Sequence, residues 1–192
     1  MRGFETYLTV AIVGLTAGAC ASSTEPDVVN YCARVDSIRA AFSPVPPVWS
    51  DRHEAIIAAR AVPGGYGGHF PAQGAQFVVI LRDTTQGSAA KAALAEAVAC
   101  GALQFGEQPA LFLGAQLQLG RYDAEQLFAF TDLASSAGTS LGGCAVLTSW
   151  PDNAVVVWVE DAADVPQVEA AVVAAGVPSN ALIVQAVGCP QQ

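Results

Sequence analysis

One arrangement occurs twice in this chain of 192 residues: an apolar run that stops at an acid and leads into an alanine-rich segment. The first copy covers residues 77–97 and the second covers residues 155–175. The copies share Val78/Val156, Val79/Val157, Asp83/Asp161, Ala92/Ala170, Ala93/Ala171 and Ala97/Ala175. Each apolar run predicts a buried strand, and the apolar spacing after it predicts a helix. The shared order of strand, acid and helix therefore indicates an internal duplication.

Further elements surround the two copies. Turns at residues 71–74 and 151–153 join extended segments and predict two hairpins. Alternating leucines over residues 111–119 are typical of a half-buried strand. The other predicted elements are helices over 27–42, 51–61, 86–100, 122–134 and 164–175, a last strand over 181–187 and a flexible loop over 135–143. The predicted fold class is α+β, with two similar hairpin-helix-strand units in which helices pack on small sheets.

These elements divide the chain into four parts. We expect a signal peptide over residues 1–19, and then a tether and N-terminal helix over 20–49. A first α/β unit should occupy residues 50–120. The linking helix and the second α/β unit should occupy residues 121–192.

The N-terminus predicts export. Arg2 precedes an apolar run that ends in small residues, which is typical of a secretory signal, and the run is shorter than the roughly 20 residues of a membrane span. The segment Thr16-Ala-Gly-Ala-Cys20 resembles a bacterial lipobox, which implies a lipid on Cys20 and attachment to the envelope membrane. Cleavage near Ala19 or Ala21 would instead leave a soluble secreted or periplasmic protein, and an uncleaved segment would remain as an anchor.

Five cysteines fit an oxidising compartment. With Cys20 assigned to lipid, four remain, which allow three connectivities. If the last strand lies beside and antiparallel to the first strand of its unit, Cys144 and Cys189 reach the same end of the sheet. We therefore favour Cys144–Cys189, which leaves Cys32–Cys100 to fasten the N-terminal helix to the first unit.

Several motifs together resemble a known family. They are Gly67-Gly-His-Phe70, the strand 77–83 with its helix, Gly120-Arg-Tyr122 with Glu125-Gln-Leu127, and the segment 149–157. Residues 60–188 thereby resemble the pro-region of bacterial secreted chymotrypsin-like proteases of the streptogrisin and α-lytic type. The resemblance implies an α/β module of two small subdomains that assists and inhibits a protease. We expect no protease domain after Gln192, and Cys189 should restrain the tail that acts as inhibitor in that family.

The sequence predicts no catalytic, cofactor-binding or metal-binding residues. No nucleophile elbow of the Gly-x-Ser-x-Gly type is present. His53 is expected on a helix surface and His69 at the end of a strand. Asp51, His53 and Glu54 do not share one helix face, while Asp161 and Asp164 are expected to be strand-end and capping residues. Trp49, Trp150 and Trp158 are candidate ligand platforms, although sheet packing is the favoured role of Trp158.

The net charge of −9 argues against binding to nucleic acid, which requires a basic surface. The favoured function is a non-enzymatic, lipid-anchored envelope module that binds a protein partner such as a protease. A small-ligand-binding lipoprotein and an enzyme of unrecognised class are the alternatives. The binding module predicts an exposed sheet edge or apolar patch, whereas the enzyme predicts a cleft in which His53 or His69 meets an acid and a nucleophile.

Overall fold

A computed structural model describes residues 29–42 and 50–187. In chain order the elements are α1 (Tyr31–Ala40), α2 (Asp51–Ala61), β1 (Tyr66–Ala72), β2 (Gln76–Leu81), α3 (Gly87–Ala99), α4 (Pro109–Gly114), β3 (Gln116–Leu119), α5 (Ala124–Gly138), β4 (Gly143–Ser149), β5 (Ala154–Val159), α6 (Val165–Ala174) and β6 (Leu182–Ala186). The fold is α+β, as predicted. None of the helices in the described ranges has the length and apolar character needed to cross a bilayer.

The strands form two sheets of three with the same topology, in the orders β1-β2-β3 and β4-β5-β6. In each sheet the first two strands are an antiparallel hairpin and the third strand is parallel to the second. Both hairpins carry an irregularity at the same place, opposite Leu81 in the first sheet and opposite Val159 in the second. Two similar units are therefore present.

Burial follows the register of the sequence repeat. Val79 and Val157 occupy equivalent positions, and both are fully buried, each in a separate hydrophobic core. The repeated acids also match, because Asp83 and Asp161 each accept a hydrogen bond from the backbone N–H two residues later, at 2.9 Å. These side chains satisfy donors at the start of the following helical turn. Asp164, which was expected to cap the helix, makes no capping bond.

The helix α5 joins the two units. It contacts α2 and β1 of the first unit and β4, β5 and α6 of the second. Two ion pairs, Arg52–Asp132 and Arg60–Glu125, connect α2 to α5. Both pairs are partly exposed, so we expect them to orient the helices more than to stabilise them.

The strand predicted over residues 111–119 is wrong for its first half. Pro109 starts the short helix α4, since proline is favoured in the first helical turn, and only Gln116–Leu119 forms a strand. The buried residue is Phe112, whereas Leu111 and Leu113 on either side of it are exposed. The alternating leucines therefore predicted burial of Leu111 and Leu113, whereas the structure buries Phe112 between them.

The flexible loop predicted over residues 135–143 is also wrong. The helix α5 continues to Gly138, and a 3-10 turn follows over Thr139–Leu141. The hydroxyls of Ser136 and Thr139 donate to backbone carbonyls four residues earlier, at 3.0 and 2.7 Å. This bonding satisfies the hydroxyls, and burial of Ala134 and Gly138 keeps the end of α5 helical despite its small polar residues.

The last strand β6 lies beside β5 and not beside β4. The Cys144–Cys189 pairing was predicted from a sheet in which the last strand lies beside the first strand of its unit, and that strand order is wrong. The two ends still coincide, because Gly143 pairs with Val159 and Val159 pairs with Ala186. Cys144 is disulfide-bonded. Its predicted partner Cys189 lies outside the described residues, as do Cys20, Trp49, the signal segment and the tether.

The other predicted pair, Cys32 and Cys100, forms a disulfide with its Cα atoms 6.4 Å apart. It connects α1 to the end of α3. The backbone N–H of Tyr31, at the start of α1, donates to the carboxylate of Glu96 on α3 at 3.0 Å. The first helix is thereby fastened to the first unit.

Candidate functional site

A pocket of about 120 Å³ opens beside β1. We call it the His69 pocket. Its walls come from four separate parts of the chain: the strand β1, the loop after α3, the start of α2 and the turn between β4 and β5. The lining residues are Asp51, Ala55, Tyr66, His69, Phe105, Glu107 and Trp150.

A buried ion pair anchors the loop that carries Phe105 and Glu107 through hydrogen bonds to its backbone. Glu54 is only 2% exposed, and its carboxylate contacts the guanidinium of Arg39 at 3.0 Å. The same carboxylate accepts from the backbone N–H of Gln104 at 3.2 Å, and Arg39 donates to the carbonyl of Ala102. A buried charge is tolerated only when it is paired and hydrogen-bonded. Here the bonded groups belong to α1, α2 and the loop after α3.

His69 is the centre of the pocket. Its Nδ1 contacts the hydroxyl of Tyr66, and its Nε2 lies 3.4 Å from a carboxylate oxygen of Glu107. The imidazole also packs against three phenylalanine rings, with centroid distances of 5.2 Å to Phe77, 4.8 Å to Phe105 and 5.4 Å to Phe112. The sequence placed His69 at a strand end, but it lies within β1 and its side chain is 13% exposed.

The electrostatics of the pocket follow from this burial. Desolvation lowers the pKa of His69, although Glu107 and, to a smaller extent, Asp51 act in the opposite direction. Desolvation raises the pKa of the Tyr66 phenol well above its ordinary value, and the charge of Glu107 adds to that effect. A neutral imidazole that accepts from the Tyr66 hydroxyl and directs its other N–H toward Glu107 fits both contacts.

The chemistry available in the pocket is that of binding more than of nucleophilic attack. None of the seven lining residues is a serine, threonine or cysteine, and a phenol whose pKa is raised is a poor nucleophile. One oxygen of Glu107, Oε2, is buried and has no hydrogen-bond partner within the described ranges. An unsatisfied buried carboxylate oxygen is costly and favours a ligand that can donate to it.

His53 lies outside this pocket. Its Nδ1 contacts the hydroxyl of Ser50 at 2.8 Å and accepts from the Ser50 backbone N–H at 3.3 Å, at the start of α2. It acts there as a capping residue. Within residues 29–42 and 50–187, no group of three or more His, Cys, Asp or Glu side chains could hold a metal ion.

The tryptophans differ in their surroundings. Trp150 covers Gly68, where φ is +131° and an added Cβ would lie 2.3 Å from the indole ring, so only glycine allows this close approach. The ring of Phe128 lies edge-on to the Trp150 indole, with the two ring centroids 5.5 Å apart. Trp158 packs on the outer face of β5, half-buried, and its indole N–H has no partner among the described residues.

A second surface lies at the opposite edge of the first sheet, where β3 is the last strand. Four exposed leucines on α4 and β3 define this surface, which we call the leucine edge: Leu111, Leu113, Leu117 and Leu119. Leu113 is 56% exposed and Leu119 is 69% exposed. A groove of about 290 Å³ lies beside Leu111, and its lining also includes Phe77 and Gln116.

Sequence reasoning did not identify Tyr66, Phe105 or Glu107 as members of a site. Tyr66 lies in the glycine-rich segment 64–69, which was expected to be a turn or strand entry, and the other two lie in a loop without any apolar period. No local signal could have found Phe105 and Glu107, because their contact with His69 exists only after the loop folds back on β1. No known family matches this chain, and no curated protein matches it either.

Proposed function

We propose that this chain is an exported, lipid-anchored and non-enzymatic module that binds an extended segment of a partner protein along β3. The observation that carries the proposal is the leucine edge. Among the described residues, the strand β3 has a neighbouring strand on one side only, and Leu117 and Leu119 on it are exposed. Clustered exposed apolar side chains mark interaction sites more often than scattered ones do.

The backbone of β3 supports this mode of binding. An edge strand presents unpaired N–H and C=O groups, and natural proteins usually protect such an edge with charged residues or proline. The β3 sequence Gln-Leu-Gln-Leu contains neither, and its length of four residues is its one protection against strand addition. A partner segment that adds as a fourth strand would satisfy these backbone groups and cover the leucines, as in β-strand addition.

The adjoining groove indicates what the segment should carry. Phe77 and Leu111 give it apolar walls, and Gln76 and Gln116 lie beside them. An apolar side chain of the added strand fits there, with polar backbone on either side. The net charge of −9 favours a segment without acidic residues.

Export and anchoring rest on the sequence. The segment before Cys20 resembles a lipobox, and paired cysteines fit an oxidising compartment. The partner is therefore sought in the envelope or outside the cell. The resemblance to protease pro-regions makes a secreted chymotrypsin-like protease the first partner to test.

The experiment places a photo-crosslinking amino acid at position 119 of the full chain, with position 173 on α6 as the matched control. Val173 is also an exposed apolar residue, at 39%, but it lies on the second unit. We expect crosslinks to a partner from position 119 only. Hydrogen exchange of the backbone amides of β3 should slow in the complex, because strand addition gives them acceptors.

Leu119→Lys supplies the second arm, since a lysine on an edge strand opposes strand addition. In chains without the crosslinking residue, Leu119→Lys should abolish co-purification of the partner that the crosslink identifies, whereas Val173→Lys should leave it unchanged. Equal crosslinking at both positions, or β3 amides that exchange at the same rate in the complex, would refute the proposal. A crosslink between two copies of this chain would show instead that the leucine edge is a dimer interface.

A further inference from the structure

We propose that the His69 pocket binds a small organic ammonium ion, at a site separate from the leucine edge. The pocket combines two carboxylates with three aromatic side chains in a small concave space. Nothing in the proposed binding along β3 requires this pocket. The inference therefore stands or fails independently of the proposed function.

The charge of the pocket is the first argument. Asp51 and Glu107 both line it, and none of the lining residues is a lysine or arginine. Arg52, next to Asp51 in the chain, pairs with Asp132, and Arg60 on the same helix pairs with Glu125. Burial disfavours the charged form of His69, which leaves the carboxylates without a full counter-charge at neutral pH.

The aromatic walls are the second argument. Trp150, Phe105 and Tyr66 all line the pocket, and the rings of Tyr66 and Phe105 stack with a centroid distance of 5.8 Å. The faces of aromatic rings attract cations, and aromatic cages with nearby carboxylates are the usual sites for organic ammonium groups. An anion would meet the two carboxylates, so anionic ligands are disfavoured.

Hydrogen bonding and size narrow the ligand further. An ammonium group supplies N–H donors, and the carboxylates of Asp51 and Glu107 that line the pocket can accept them. A pocket of about 120 Å³ is smaller than those that enclose drug-sized ligands, which measure roughly 300–1,000 Å³. A head group with a short alkyl chain fits this space.

The test titrates the full chain, in non-ionic detergent, with propylammonium, and follows the Trp150 indole and His69 imidazole resonances by NMR. The neutral analogue 1-propanol and the anionic analogue propionate are the matched ligands. We expect saturable shifts with propylammonium alone. The pKa of His69, which faces Tyr66, Glu107 and Asp51, should fall further on saturation, because a bound cation opposes its protonation.

Variants assign the binding to the two carboxylates. Glu107→Gln keeps the shape of the side chain and should weaken binding at least about tenfold, and Asp51→Asn should weaken it in the same direction. Glu160→Gln removes an equal charge at an exposed position outside the pocket and should leave the affinity unchanged. Two carboxylate variants keep the test decisive if one of them folds poorly.

Three outcomes would overturn the inference. The first is a shift that grows linearly with propylammonium and never saturates. The second is equal affinity for 1-propanol or higher affinity for propionate, which would make the pocket apolar or anion-selective. The third is unchanged affinity in both Glu107→Gln and Asp51→Asn.

Discussion

At the scale of single residues, Asn153 connects the second hairpin to the segment that precedes the linking helix α5. Its side-chain oxygen accepts from the backbone N–H groups of Arg121 and Tyr122, at 2.7 and 2.9 Å. Its amide group donates to the carbonyl of Tyr122 at 2.9 Å. The residue is 6% exposed and has a positive φ of 49°, a conformation that asparagine tolerates better than most side chains.

Replacing Asn153 separates the contribution of its side-chain hydrogen bonds from that of its backbone conformation. Asn153→Ala should lower the free energy of unfolding by about 2–4 kcal/mol, because it leaves backbone groups unpaired and keeps a strained φ. Asn153→Gly loses the same hydrogen bonds without the strained φ. Its free energy of unfolding should lie between those of Asn153→Ala and the natural chain. Urea unfolding measures both values.

Asn180→Ala is the control for Asn153. Asn180 is exposed and accepts one hydrogen bond, from the hydroxyl of Tyr122 at 2.6 Å. Its replacement should cost less than about 1 kcal/mol. Full stability in Asn153→Gly would show that the backbone conformation matters and that the three hydrogen bonds do not.

At the scale of elements, α1 is attached to the first unit by a crosslink and by polar contacts. The disulfide Cys32–Cys100 closes a long loop, with a sequence separation of 68. The buried pair Arg39–Glu54 lies at the other end of the same helix. Because the loop with Phe105 and Glu107 follows Cys100 directly, the position of α1 also affects the His69 pocket.

The double substitution Cys32→Ala/Cys100→Ala should lower the free energy of unfolding by about 4 kcal/mol. The estimate follows from the chain entropy that a loop of this length recovers when the crosslink is absent. The urea midpoint of the full chain measures the change. An unchanged midpoint would mean that packing and the Arg39–Glu54 pair hold α1 without help from the disulfide.

At the scale of the whole molecule, two hydrophobic cores share one helix. The first core extends to Ala124 and the second begins at Ala134, both on α5. Leu127 lies between these positions and is fully buried. We therefore expect the two units to unfold together, with far-UV circular dichroism and tryptophan fluorescence changing at the same urea concentration.

Leu127→Ala tests this coupling. The cavity should lower the free energy of unfolding by about 2–4 kcal/mol and separate the two transitions, since the shared helix loses packing where the cores meet. Leu133→Ala is the matched control on the same helix, because Leu133 is 39% exposed. Coincident transitions in Leu127→Ala would indicate that α5 is not the coupling element.

The sequence by itself determined the duplication, both hairpins and five of the helices. These features depend on local periodicity, which reports which side of an element is buried. Periodicity failed over residues 111–119, because Pro109 started a helix and Phe112, between two leucines, became the buried residue. It also failed over residues 135–143, where burial of Ala134 and Gly138 keeps the end of α5 helical.

Only the tertiary structure decided the surfaces on which function depends. Glu107 meets His69 because the buried Arg39–Glu54 pair and the Cys32–Cys100 disulfide hold a loop of no regular pattern beside β1. The leucine edge exists because β3 is the last strand of its sheet, which no residue pattern in β3 itself encodes. Local sequence specifies elements, whereas a site requires distant segments to meet, and that depends on packing.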